Sequence, residues 1–320
     1  MCKLAIMPSI PQANAAKTLA FAKALTKYLT LRDNHAFGVA AIGQDRDLYT
    51  GRWTSIKDAW RPARVPRQLK APPRYSNLSR LAPSAGDDTA RSEVIGVLPK
   101  QPRALLLHAR WATNGSKGDV ANAHPHVSPD RTTVLIHNGI VSTQGLDLRR
   151  SQCDSEGILN AYADSMIAES TDPREWQAGV VDRLSGYYAL GVLSQRSSDG
   201  AWQCDVVRDA LAPLYYCELP GGVPLYLTDL AHARSAAKDV GIKLSAYAKV
   251  SKNSVLRIDV ETGAEVYAGG IMPREYASRT SRYTAEDRAW AAHMGLGSAS
   301  DPRVIDLTQD DGPRYVTKLI

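Results

Sequence analysis

Cysteine at position 2 places a thiol one residue from the start of the chain. Met1 is readily removed before a small second residue, and thiol and free α-amine then share one residue. An unperturbed α-amine titrates near ~8 and a thiol near ~8.5, so the amine can take the thiol proton directly or through a water. On its own, a cysteine here is most often only an N-terminal residue. Residues suited to grip a small zwitterion lie farther along. Arg110 offers a planar guanidinium that matches a carboxylate in bidentate fashion. Asp154 offers a partner for an ammonium. Asn138-Gly139 offers an amide donor beside a glycine that permits close backbone approach. Each has a plainer reading: Arg110 as a surface ion pair, Asn138-Gly139 as a hairpin turn, Asp154 as a helix cap.

His124, His126 and His137 raise the question of a metal. We expect none, because His-Pro-His sets its rings on an extended segment without acidic ligands. The four cysteines, Cys2, Cys153, Cys204 and Cys217, show no C-x-x-C spacing and are too few for a disulfide scaffold of this size.

The elements that must position these residues are read from periodicity. Residues 3–7 are an apolar run of strand length stopped by Pro8 and Pro11, and 37–42 reads as a second strand. Leu19, Ala22, Leu25 and Leu29 recur at helical spacing over 14–31, with Asn14 as N-cap. Beyond residue 103, strands are expected at 104–108, 133–137, 187–193, 203–208, 213–217, 224–228 and 254–259. Helices are expected near 155–168, 173–184 and 230–240. Strands in consecutive groups favour antiparallel sheets covered by helices, and no G-x-G-x-x-G or Walker loop is present.

Taken in order, several segments resemble one family. They are His108-Ala109-Arg110-Trp111-Ala112-Thr113-Asn114-Gly115, Asn122-Ala123-His124-Pro125-His126, Ile136-His137-Asn138-Gly139-Ile140-Val141, Cys153-Asp154-Ser155-Glu156 and Leu184-Ser185-Gly186-Tyr187-Tyr188. Preceded by Cys2, they resemble the class II glutamine amidotransferases, which are N-terminal-nucleophile hydrolases, and most nearly the glutaminase domain of glucosamine-6-phosphate synthases. Arg32 matches an arginine of that family's glutamine loop. The resemblance implies an α+β fold, a four-layer αββα sandwich of two antiparallel sheets. It also implies hydrolysis of free L-glutamine through a Cys2 thioester, with Asn138 and Gly139 as the oxyanion hole. Arg110 and Asp154 would hold the two charges of glutamine, and Trp111, Thr113 and Asn114 would belong to the binding loop. No cofactor is implied. Three departures stand out: His35 where the family has Asp, Lys3 where glycine is commoner, and Asn114 where the synthase has His. They bear on loop closure and coupling to an acceptor more than on thioester chemistry.

The chain has 320 residues, 44% apolar and 22% charged, which excludes compositional disorder, and no apolar run approaches the length of a membrane span. We expect a cytoplasmic protein. Its +6 charge is concentrated in 52–103, a segment with eleven basic and four acidic residues and seven of the eighteen prolines. The amidotransferase resemblance covers 2–268 with 52–103 as a basic, proline-rich insertion; 269–320 reads as a tail with a short helix near 284–294. About fifty residues after the match are too few for a synthase domain, so the ammonia acceptor is expected on a separate synthase chain. Two other readings remain open at this point. One is a non-catalytic glutamine-sensing or partner-binding module on the same fold. The other is a nucleic-acid-binding protein using the basic insertion, although no nucleic-acid-binding motif is visible.

Overall fold

The computed structural model describes residues 2–30, 35–54, 98–113, 115–165 and 167–272. Arg32, Asn114, most of the basic insertion and the 284–294 helix lie outside the described residues.

Two antiparallel sheets form the centre. The first contains β1 (Lys3–Met7), β2 (Ala36–Gly43), β3 (Leu48–Trp53), β4 (Pro102–Arg110), β9 (Tyr215–Leu219), β10 (Val223–Leu227) and β11 (Ser245–Lys249), in the order β11-β9-β10-β1-β4-β2-β3. The second contains β5 (His126–Val127), β6 (Thr133–Val141), β7 (Gly186–Gln195), β8 (Trp202–Arg208), β12 (Ser254–Asp259) and β13 (Glu265–Gly270), in the order β13-β12-β8-β7-β6-β5. The helices are α1 (Ala15–Leu29), α2 (Asp154–Asp164), α3 (Arg174–Gly179) and α4 (Leu230–Asp239).

Strand alternation explains the layering. Side chains of a strand point to opposite faces in turn, so each inner strand feeds two cores. Leu4 and Ile6 of β1, Ala40 and Ile42 of β2 and Leu106 of β4 meet Val134, Ile136, Ala189 and Leu193 between the sheets. Their neighbours Ala5, Met7, Val39, Leu105 and Leu107 face the other way, onto Phe21, Leu25 and Leu29 of α1 and Ala233 and Ala236 of α4. On the far side, Leu135, Leu190 and Val192 pack under Ile158 and Tyr162 of α2 and Trp176 of α3. The result is helix, sheet, sheet, helix, the four-layer α+β sandwich expected. Each large side chain fully buried there contributes about 1.5–3 kcal/mol.

The second sheet also buries an ion pair. Arg257 of β12 and Asp205 of β8 face each other at 2.6 Å with both side chains inaccessible.

Local differences have physical causes. Asn14 precedes α1 but makes no capping bond; its side-chain amide donates to the Gly221 carbonyl at 3.5 Å. The α3 segment stops at Gly179 and continues as a 3-10 turn, Val181–Arg183. Strands β3, β5, β11 and β13 are not among those expected from the sequence. They lie at sheet edges, and β3, β11 and β13 show little burial, so their sequences lack strong apolar alternation. Arg52 and Trp53 close β3, and Pro102-Arg103 open β4.

Candidate active site

Register brings the N-terminus to the end of β4. Lys3 pairs with Ala109 in the antiparallel β1/β4 ladder, so Cys2 falls beside Arg110 and Trp111. The Cys2 thiol donates to the Trp111 carbonyl at 3.3 Å, and its sulfur accepts from the Trp111 N–H at 3.2 Å. One residue's backbone therefore fixes the thiol from both sides. Burial pushes the thiol's pKa up, while the Trp111 N–H and Arg110 pull it down and Asp154 adds to the rise. The balance leaves it above the ordinary thiol value, so at neutral pH it is protonated and needs a base.

The far wall comes from the second sheet and α2. Asp154, the first residue of α2, is buried; its Oδ2 accepts from the Val141 N–H at 2.8 Å and its Oδ1 from the Ser155 N–H at 3.0 Å. The Cys153 thiol at 3.5 Å and the Ser155 hydroxyl at 3.4 Å also approach Oδ1, so the capacity left for a ligand is on Oδ2. Arg110, also buried, donates to the Ser116 carbonyl at 3.4 Å. Between the walls is a cleft lined by Cys2, Arg110, Trp111, Thr113, Gly139 and Asp154, together with His124, His137, Cys153 and Ser155.

Gly139 is required where it stands. Its φ is +155°, and a Cβ there would meet the Tyr187 carbonyl oxygen and come within 2.7 Å of His137 Nε2. Asn138-Gly139 lies inside the continuous strand β6, opposite Ala189 and Tyr188, so it is not a hairpin turn.

Comparison with known proteins gives three findings. No family model matches the chain. It is 37% identical over 123 residues to glutamine-fructose-6-phosphate aminotransferase (isomerizing) of Caulobacter vibrioides, covering 36% of this chain and 20% of that protein. The same enzyme of Symbiobacterium thermophilum is 35% identical over 118 residues, 33% of this chain and 18% of the relative. The matches thus span about a fifth of the relatives' length. A solved structure described as the allosteric regulatory enzyme of purine biosynthesis shares the fold, with TM-score 0.50 and 13% identity over 84% of this chain and 49% of that one. The chain carries a class II glutamine amidotransferase domain.

Within this amidotransferase domain the fold gathers most of the residues singled out from sequence. Cys2, Arg110, Trp111, Thr113, Gly139 and Asp154 share the cleft. Asn138 is buried on β6 and is not part of the cleft wall. Sequence reasoning missed Ser155, whose hydroxyl lies 3.0 Å from His137 Nδ1, and the use of the Trp111 backbone to hold the thiol. His35, noted only as a departure, accepts the Ala112 N–H on its Nδ1 at 2.8 Å and packs its ring on Trp111 at 4.9 Å, steadying the segment that grips Cys2.

Behind the cleft four histidines are buried together. His108 donates from Nε2 to the His137 carbonyl at 2.8 Å and packs at a tilt against His124 with ring centroids 3.8 Å apart; His124 meets His126 edge-on at 4.8 Å. Burial holds His108 down to about 3 and His124 and His126 well below the usual imidazole range. The reading that dismissed a metal weighed only histidines. The fold adds Cys153, whose sulfur joins His124 and His126 with all donor atoms within 4.8 Å.

Proposed function

We propose that this chain hydrolyses free L-glutamine to glutamate and ammonia through a Cys2 thioester and passes the ammonia to an acceptor on a separate synthase. The observation that carries the reading is the Cys2 thiol held by the Trp111 backbone in a cleft whose walls present one guanidinium, Arg110, and one carboxylate, Asp154. Arg110 would take the α-carboxylate of glutamine and Asp154 the α-ammonium, selecting the free amino acid over a peptide-embedded one. With Met1 removed, the Cys2 α-amine accepts the thiol proton as sulfur attacks the side-chain carbonyl carbon. The same amine then protonates the departing ammonia, and water, giving up its proton to the amine, releases glutamate from the thioester. The Gly139 N–H and Asn138 amide would stabilise the oxyanion, and Thr113, Asn114 and Arg32 would complete the binding loop.

We assign residues 2–268 to this domain and the positive charge of 52–103 to contact with the synthase or an anionic acceptor. The test is release of ammonia and glutamate from glutamine by protein whose intact mass shows Met1 removed, with labelling of Cys2 by a glutamine-analogue electrophile. Release and labelling support the reading. Glutamine binding without either outcome replaces it with the glutamine-sensing module.

A further inference from the structure

We propose that His124, His126 and Cys153 form a binding site for a borderline-soft divalent cation of the zinc class. This inference goes beyond glutamine hydrolysis and does not depend on it.

Two observations carry the site. The donor set is His₂Cys, two imidazoles and one thiol, with all three residues buried and the donor atoms within 4.8 Å of one another. Among the described residues, neither ring nitrogen of His124 has a hydrogen-bond partner, nor has Nε2 of His126, although both side chains are more than nine-tenths buried. Leaving such atoms desolvated and unpaired is costly, so a cluster of them needs a ligand to explain it. Cys153 brings a sulfur donor to the two imidazoles. Imidazole with thiolate is a donor set that selects zinc over magnesium or calcium.

Zinc–nitrogen and zinc–sulfur bonds of about 2.0–2.3 Å set tetrahedral donor separations of roughly 3.3–3.8 Å. The widest pair here must therefore close by about 1 Å, which small side-chain rotations supply. Cys153 now directs its thiol at Asp154 Oδ1, 3.5 Å away, and Ser155 Oγ, 3.4 Å away. On metal binding it releases its proton to solvent and coordinates as thiolate. Three protein donors leave a fourth position for water. Because His124 and Cys153 also line the cleft that holds Cys2, the ion would sit in its wall.

Cobalt(II) is the probe, titrated into reduced, oxygen-free, full-length protein and read by its visible bands and thiolate-to-cobalt charge transfer. The expected result is one cobalt per chain with a charge-transfer band in wild type and in Cys2→Ala, displaced by zinc. Cys153→Thr should abolish the charge-transfer band while keeping the wild-type far-UV circular dichroism and melting midpoint. His126→Gln should weaken affinity by roughly 100-fold or more. Absence of the band in wild type overturns the proposal. So does a band that survives Cys153→Thr or disappears in Cys2→Ala, since the donor would then be the nucleophile. None of these readouts needs glutamine turnover, so failure of the hydrolysis reading would be seen separately.

Discussion

Two buried polar clusters in this fold differ in how completely their hydrogen-bonding capacity is used. At the Asp205–Arg257 pair, every one of the five guanidinium N–H donors has an acceptor: Asp205 Oδ1 and Oδ2 at 2.6 Å each, the Ile167 and Ser170 carbonyls at 2.9 and 2.6 Å, and Tyr162 Oη at 3.1 Å. Trp176 Nε1 adds a further bond to Asp205 at 3.1 Å. The knot ties β8 and β12 to α2 and α3, with nothing left for a ligand. Around Cys2 the accounting stays open: Asp154 Oδ2 accepts one bond, from the Val141 N–H, and the His124 nitrogens have no partner among the described residues. Closed networks mark structure, and open ones mark places where a ligand finishes the bonding.

Substitutions separate the two regions. Cys2→Ala should reduce glutamine turnover to background, a loss of roughly 10⁴-fold or more, while changing stability by less than about 1 kcal/mol. Arg257→Met should do the reverse. Leaving Asp205 buried without its counter-ion costs about 3–5 kcal/mol in chemical denaturation, with turnover per folded molecule unchanged. An Arg257→Met variant as stable as wild type but slow would break the comparison. Asn138→Ala tests the boundary between the regions, because Asn138 is buried beside the cleft but outside its wall. If its amide swings to the oxyanion, kcat falls by roughly 10²–10³-fold. If it remains packed outside the cleft wall, kcat moves less than about tenfold and only the melting midpoint shifts.

These regions were not equally legible in the sequence. Strands β1 and β12 were read to the residue because β1 is an apolar run stopped by Pro8 and β12 holds Val255, Leu256 and Ile258 between turn residues, whereas edge strands β3 and β11 carry little apolar pattern. The cleft was legible because Cys2, Arg110 and Asp154 sit in ordered motifs, each with a distinct chemistry. The Asp205–Arg257 knot was invisible: 52 residues separate the partners, and nothing local distinguishes a buried charge from a solvated one. Cys153 went unread for a related reason. Its distance from His124 and His126 is set by how α2 docks on β6, which no spacing in the sequence encodes.

The smallest effect, the dependence of rate on pH, sharpens the comparison further. Burial holds the Cys2 thiol above its ordinary value, so a rate that waited for the thiolate to form by itself would keep climbing past about pH 8.5. A rate governed by the Cys2 amine behaves differently. The amine is a competent base only when unprotonated, so kcat/KM should rise about tenfold per pH unit below its pKa and level off near ~8. Retaining Met1 turns that amine into an amide and should abolish the plateau with the activity. The knot gives the opposite profile over the same window. Burial alone would lower the Arg257 pKa, but Asp205 overrides it and holds the guanidinium charged above its usual range. No proton then enters or leaves the Arg257 guanidinium between about pH 6 and 9, and linkage requires its contribution to stability to stay flat there. Melting midpoints that fell in parallel with kcat/KM on acidification would place both effects in one titrating network and remove the distinction drawn between the two clusters.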